Sequence, residues 1–356
     1  MQQRLLYLAL IVLLFVSCED YYRPDLEAVP GTMVVESRLT TDSAQNFVRL
    51  SLTRNFLSND ALDWITGARV ELIESGRLII KATEINPGYY TFQHIPSVGK
   101  TYVLWILYQN DVYESSPVVM PPLPKIDSLY TKHKIEQKYR VNGYGVPELF
   151  SKPGREICVD VPITPQLQYS LYTCRAIIQW EYYPPAPRVG PSPPPLYGWR
   201  TKYDNGVFNL AGPKEFSTST EVLQHPIQML AYNTQEYLDS AALIPMNWIV
   251  IVDQYGIPKE SYVFHEKLNK QFLAEGNLFD PVMTQVFGNV HCKNDPAKIA
   301  LGFFDVRSCR QYRYYFNMGT GPDNQVIQRR LNEYYDISDH GYEIGVRPVF
   351  WEDNYS

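Results

Sequence analysis

Phe47-Val48-Arg49-Leu50-Ser51-Leu52-Thr53 alternates apolar and polar residues, and Val48, Leu50 and Leu52 fall on one face. A period of two marks a strand with one side in a core. The same rhythm recurs on either side of it. Met33-Val34-Val35-Glu36-Ser37-Arg38-Leu39 precedes it, and Ala68-Arg69-Val70-Glu71-Leu72-Ile73 follows. A Ser75-Gly76 turn leads into Arg77-Leu78-Ile79-Ile80, and Pro87-Gly88 leads into Tyr89-Tyr90-Thr91-Phe92. Thr101 to Tyr108 and Val112 to Ser115 flank an Asn110-Asp111 turn. Seven short strands set apart by turn residues predict a β-sandwich over residues 32–120.

A proline-rich stretch, residues 117–125, reads as a stiff connector, and residues 121–356 as a larger β-rich domain. Glu156-Ile157-Cys158-Val159-Asp160-Val161 alternates with Ile157, Val159 and Val161 on one face. Leu171 to Trp180 is a further strand, and Trp248 to Tyr255 a buried one. Phe264, Leu268 and Phe272 then recur every fourth residue, which predicts one amphipathic helix over about 258–275. Between these strands lies a loop over 184–195 with prolines at 184, 185, 187, 191, 193, 194 and 195. Proline donates nothing to a sheet ladder, so this segment is expected outside the sheets, largely as polyproline II. Its aromatic flanks, Tyr182, Tyr183, Tyr197 and Trp199, make it a candidate partner-binding surface, because a preformed segment loses little entropy on docking.

The first residues speak of location. Arg4 precedes an apolar run from Leu5 to Val16, which ends at Ser17-Cys18-Glu19-Asp20. Such a run has signal-peptide length and is short of the roughly 20 residues a spanning helix needs. Phe15-Val16-Ser17-Cys18 is similar to a lipobox, with Phe15 and Ser17 in place of the favoured residues. Residues 1–17 are therefore expected to be a lipoprotein signal peptide, Cys18 the lipidated residue, and 18–31 a tether that gives reach from a membrane.

The chain of 356 residues carries a formal charge of −6 and no basic run, which argues against nucleic acid as a partner. Beyond Cys18 there are four cysteines, Cys158, Cys174, Cys292 and Cys309. An even remainder in an exported chain predicts disulfides. Hairpin proximity suggests Cys158 with Cys174 and Cys292 with Cys309. The spacing offers no zinc motif.

Two resemblances reach further. Gly67-Ala68-x-Val70-x-Leu72, Gly88-Tyr89-Tyr90 and Gly99-x-Thr101-Tyr102-x-Leu104 resemble the transthyretin-like, carboxypeptidase-regulatory-like sandwich, an immunoglobulin-type module used for structure or binding. Gly276-Asn277-Leu278-Phe279-Asp280-Pro281, Val286-Phe287-Gly288-Asn289-Val290, Asp295-Pro296 and Leu301-Gly302-Phe303-Phe304-Asp305 follow in order behind the helix. With Val35-Glu36, Val48-x-Leu50-Ser51 and Ile126-Asp127-Ser128, they are similar to the lipoprotein family known as domain of unknown function 4249. That resemblance implies a Bacteroidetes-type outer-membrane lipoprotein facing the cell exterior, accessory to a TonB-dependent β-barrel receptor. It brings no catalytic residues.

Signatures of chemistry are otherwise missing. His265-Glu266 opens like a zinc-protease motif, but Asn269 stands where the second His belongs. Gly319-Thr320-Gly321 reads as a turn, and Asp336, Asp339, His340 and Glu343 as a solvated loop. No catalytic residue, metal site or cofactor is expected. A non-enzymatic binding or accessory lipoprotein is the leading expectation. A surface hydrolase or carbohydrate-active protein, with carboxylates brought together only in space, is the alternative.

Overall fold

The computed structural model describes residues 31–54, 62–141, 143–182, 190–191, 194, 196–203, 207–213, 220–231, 243–274, 285–317 and 343–344. Cys18, residues 1–17 and nearly all of the 18–31 tether lie outside them, as do Tyr183 and most of 184–195.

The first ten strands are β1 (Met33–Thr40), β2 (Phe47–Leu52), β3 (Asp63–Trp64), β4 (Arg69–Glu74), β5 (Arg77–Lys81), β6 (Thr83–Asn86), β7 (Tyr89–Thr91), β8 (Thr101–Tyr108), β9 (Asp111–Ser115) and β10 (Val118–Val119). Then come β11 (Ser128–Val141), β12 (Pro147–Pro162), β13 (Tyr169–Tyr182), β14 (Leu196–Tyr203), β15 (Asn209–Ala211), β16 (Glu221–Ala231) and β17 (Leu243–Ile257). Helix α1 (Lys259–Phe272), β18 (Val290–Cys292), β19 (Ala300–Asn317) and β20 (Glu343–Ile344) complete the described elements. The protein is mainly β, as the alternation predicts.

The N-terminal strands form two facing sheets. β1, β2, β7 and β6 make up one, and β9, β8, β4 and β5 the other. Val35, Leu39, Val48, Leu50, Val70, Leu72, Tyr102, Leu104 and Ile106 meet between them, each at most 2% exposed. These are the inward positions of the period-two pattern. At the β4–β5 turn Ser75 (φ 48°) and Gly76 (φ 82°) both sit left-handed, which a tight hairpin matched to strand twist requires.

The sandwich is not closed by residues 32–120 alone. β18 adds to the edge of β9, and β19 pairs in parallel with β1, from Met33↔Ala300 to Thr40↔Arg307. β19 then continues, and Ser308 to Asn317 pair antiparallel with β17. One strand thus belongs to both halves and fuses them into an eleven-stranded sheet. The 117–125 connector is bound into the body as well. Ser308 Oγ donates to the Pro122 carbonyl at 2.6 Å, and the Ile126 amide donates to Tyr312 Oη at 3.1 Å.

The phrases behind the helix gain a packing reason here. Gly302 (φ 90°) lies opposite Val35 on β1, and a Cβ at Gly302 would lie 2.0 Å from the Val35 carbonyl oxygen. A Cβ on Gly288 would fall 1.4 Å from the Gly302 carbonyl oxygen. Next to this crossing, Asn289 Nδ2 donates to the Phe304 carbonyl at 3.0 Å, and its Oδ1 accepts from the Phe304 amide at 2.8 Å. The Asn289 side chain acts as a one-residue strand.

In the second half, β11, β12 and β16 form a three-stranded sheet over one face of β13 and β17. Ile157, Val159 and Val161 pack there against Tyr172, Cys174, Ala176, Trp248, Val250 and Val252. Helix α1 covers part of the opposite face.

The predicted disulfides are absent. No bridge links Cys158, Cys174, Cys292 and Cys309. The pairing assumed that Cys158 and Cys174 sit on neighbouring strands, but β12 pairs with β11 and β16, while β13 lies in the other sheet. Likewise β18 pairs with β9 and not with β19, so Cys292 faces the sandwich core and Cys309 lies beside Tyr255. Burial drives the Cys309 thiol up to about 11.

Candidate functional site

Helix α1 follows the β17 strand through Pro258, which leaves it extended before the first turn. Phe264, Leu268 and Phe272 were the expected inner face. The innermost side chains are instead Ser261 and His265, with Phe264 half-buried and stacked on Phe303 at 4.5 Å. Phe272 is 67% exposed. The helix is rotated because β19 offers a charge to bury. Asp305 and Arg307, both under 10% exposed, point at it from the outer face of that strand.

These four residues make a sealed polar cluster. Ser261 Oγ donates to Asp305 Oδ1 at 2.8 Å, and Arg307 lies 3.1 Å from Oδ2, off the line of a hydrogen bond. His265 Nδ1 is 2.8 Å from the Ser261 carbonyl, and its Nε2 is 3.8 Å from Asp305 Oδ2. Burial works to raise the Asp305 carboxyl, but Arg307, His265 and Ser261 outweigh it and hold it below its ordinary value. Burial lowers His265, against the pull of Asp305. Arg307 also stacks over Tyr255 at 4.6 Å, and Tyr255 Oη donates to Gln45 Oε1 at 2.8 Å.

Serine, histidine and aspartate together invite comparison with a nucleophilic triad, but the roles do not fit. The hydroxyl donates to the carboxylate. Although His265 Nδ1 lies 3.3 Å from Ser261 Oγ, it also lies 2.8 Å from the Ser261 carbonyl, which can only accept, so this nitrogen holds a proton and is no base for the hydroxyl. A nucleophile needs its base within hydrogen-bond reach and a place for substrate. Ser261 is 1% exposed. The cluster clamps the helix to the strand that joins the two halves.

The same helix carries one wall of an open cleft. Asn269 grips Phe208 through both backbone groups, donating to its carbonyl at 2.6 Å and accepting from its amide at 2.8 Å. Phe208 rests edge-on against His265, 4.4 Å between centroids. Phe208, Val207, Tyr203 and Phe272 wall a space of about 570 Å³ over the outer face of β13 and β17. Leu171, Thr173, Arg175 and Asp253 form its floor. Asp253 Oδ1 accepts from Gln311 Nε2 at 2.8 Å. Among the described residues no carboxylate lies within ion-pairing distance of Arg175. A space of this size with apolar walls and a few polar groups suits a small organic ligand. Asp253 is the sole carboxylate among its described lining residues.

The partner-binding residues expected from sequence are divided. Tyr182 ends β13 and Tyr197 and Trp199 lie in β14, paired with Glu181 and Gln179 respectively. Residues 184–195 therefore connect two paired strands. Trp199 is half-buried and packs on Ile177, Ile249 and Ile251. Tyr183 lies outside the described residues. Among the described residues no group of three His, Cys, Asp or Glu could hold a metal ion.

Sequence reading missed the cleft because its floor residues are single interruptions in apolar strands. Arg175 stands between Cys174 and Ala176, and Asp253 follows Val252. A charge placed inside an otherwise apolar strand was the available signal.

The sequence profile described as a domain of unknown function (DUF4249) matches residues 19–313. No curated protein and no solved structure matches the chain.

Proposed function

The chain belongs to the family described as a domain of unknown function (DUF4249), and from that premise we propose that it is a lipid-anchored, non-enzymatic binding subunit of the outer membrane, accessory to a TonB-dependent receptor. The observation that carries this reading is the leader: an apolar run from Leu5 to Val16 stops at Ser17-Cys18 and is followed at once by two acids. An acylated Cys18 followed by the 18–31 tether holds the folded body at a membrane surface, facing the cell exterior. Two features support binding over catalysis. The Ser261–His265–Asp305 constellation is closed to substrate, and the glycines and asparagine of the family phrases serve strand crossing. The cleft beside Phe208 and Arg175 is then where a ligand is held for hand-over.

The test has two arms. Cys18→Ala should abolish acyl labelling and release the protein from the membrane fraction; retention in membranes without acyl mass on the parent refutes the anchor. Mild-detergent purification of the parent after cross-linking should recover a β-barrel receptor. If none is recovered, the accessory role falls while the anchor stands.

A further inference from the structure

The β11–β12 hairpin is the longest ladder of its sheet, fourteen consecutive pairs from Ser128↔Asp160 to Val141↔Pro147. Among the described residues its third strand, β16, accompanies it as far as Gly154↔Ala231. From Ile135↔Pro153 outward the described ribbon has two strands, and at about 3.3 Å per residue it runs on for roughly 20 Å. A two-stranded ribbon is marginal in water unless one face is covered.

Residues opposite one another share a face. Ile135, Tyr139 and Val141 of β11 and Leu149 of β12 therefore line one side, and they are 57%, 78%, 67% and 50% exposed. The loop beyond adds Tyr144 at 94% and Val146 at 55%. The alternate positions of β11, 134, 136, 138 and 140, are Lys, Glu, Lys and Arg. Residues 128–156 hold six Lys and Arg against three Glu, in a chain whose formal charge is −6. Gln137 and Ser151 also fall on the side of Ile135, and Phe150 pairs with Lys138 on the other, so the ribbon is mostly apolar along one side and carries Lys134, Lys138 and Arg140 at the alternate positions, on an acidic body. At its root Lys132 and Lys134 both pair with Glu156.

We propose that this hairpin is a docking arm that lays its apolar face into a bilayer whose headgroups carry anionic phosphate. The described ribbon is two strands wide beyond Gly154, with its apolar residues strung along one side. Apolar residues and tyrosines on one side, with cations at the alternate positions, form the pattern that seats amphipathic segments at a charged membrane interface. The inference does not rest on lipid at Cys18, since it uses only the folded body.

The chain without residues 1–18, which precede every described residue, should be sedimented with vesicles of phosphatidylcholine alone and with vesicles containing about one-third phosphatidylglycerol. Cationic residues near an anionic surface contribute about 1 kcal/mol each, so binding to the second should be at least ~10-fold tighter. Tyr139→Ser with Val141→Ser, and separately Lys138→Gln with Arg140→Gln, should each weaken it about tenfold while the melting temperature stays at the parent value. Tyr144→Ser, in the loop, provides a variant outside the ladder, with a smaller loss expected. Equal binding to both vesicles, no binding to either, or variants that bind like the parent would overturn the proposal. Cross-linking from residue 144 to a protein, without vesicle binding, would assign the arm to a protein partner and overturn it too.

Discussion

Replacing Gly302 with alanine tests the joint between the two halves. Gly302 sits at φ 90° on β19, directly opposite Val35, and the added Cβ would lie 2.0 Å from the Val35 carbonyl oxygen and 2.7 Å from its carbon. Two costs follow. A left-handed backbone costs an alanine roughly 1–2 kcal/mol. Forcing a methyl group into a filled space costs typically about 1–3 kcal/mol more, since the obstacle is main chain and can yield only by parting β1 from β19. The expected loss is about 2–5 kcal/mol, a large share of the roughly 5–15 kcal/mol that holds a folded domain. Gly67 supplies the control. It has φ 68°, and nothing lies within 4 Å of a Cβ placed there. Gly67→Ala should therefore show the backbone cost alone. Urea unfolding of both variants and the parent, compared at equal slope, gives the difference. If Gly302→Ala loses no more than Gly67→Ala, the close β1–β19 approach does not exist as described.

Asn289→Ala removes both hydrogen bonds to the Phe304 backbone and should cost about 1–3 kcal/mol by the same assay. Asp305→Asn leaves Arg307 buried without its counter-charge and should cost about 3–5 kcal/mol. Because the Asp305 carboxyl is held low, its contribution is present above the ordinary carboxylate range and lost as pH falls through its folded value; the variant should flatten the acid limb of stability against pH. Burial lowers His225 to about 4, so the unfolded chain binds this proton first, and stability should fall by up to about 3 kcal/mol between pH 6.5 and 4. His225→Gln should remove that slope; an unchanged slope would assign it elsewhere. Peptide mapping under non-reducing conditions should find Cys158, Cys174, Cys292 and Cys309 unbridged, and a Cys158–Cys174 linkage would contradict the two-sheet arrangement.

Local rhythm made much of the sandwich readable. Val48, Leu50, Val70, Leu72, Tyr102 and Leu104 lie inward as alternation requires, and the helix begins and ends within a few residues of its expected bounds. What alternation could not supply was strand partners. Nothing near Met33 indicates that its neighbour is Ala300, because a strand's pairing depends on which distant segment shares its buried face. The cysteine pairing failed for that reason, since adjacency in sequence was taken for adjacency in a sheet. The helix face was misread for another. Phe272 looks like a core residue by spacing, but the buried Asp305 and Arg307 draw Ser261 and His265 inward and turn Phe272 to the cleft rim. Trp199 shows the converse, an aromatic beside prolines that belongs to a strand.

The strand shared by both halves also sets the order in which the molecule can be made. β1 is among the first segments to leave a ribosome or an export channel, yet its parallel neighbour arrives 267 residues later, from Met33 to Ala300. Until then the edge of β1 that β19 will cover is open, and Val35, paired with Leu50 on its other side, has no neighbour on that one. The N-terminal sandwich should therefore be completed late in folding despite its early position. Long-range parallel pairing of this kind is slow, and it exposes an unpaired edge to other chains while it waits. A nascent chain stalled before residue 300 should accordingly be protease-sensitive throughout, including the strands whose alternation is most regular.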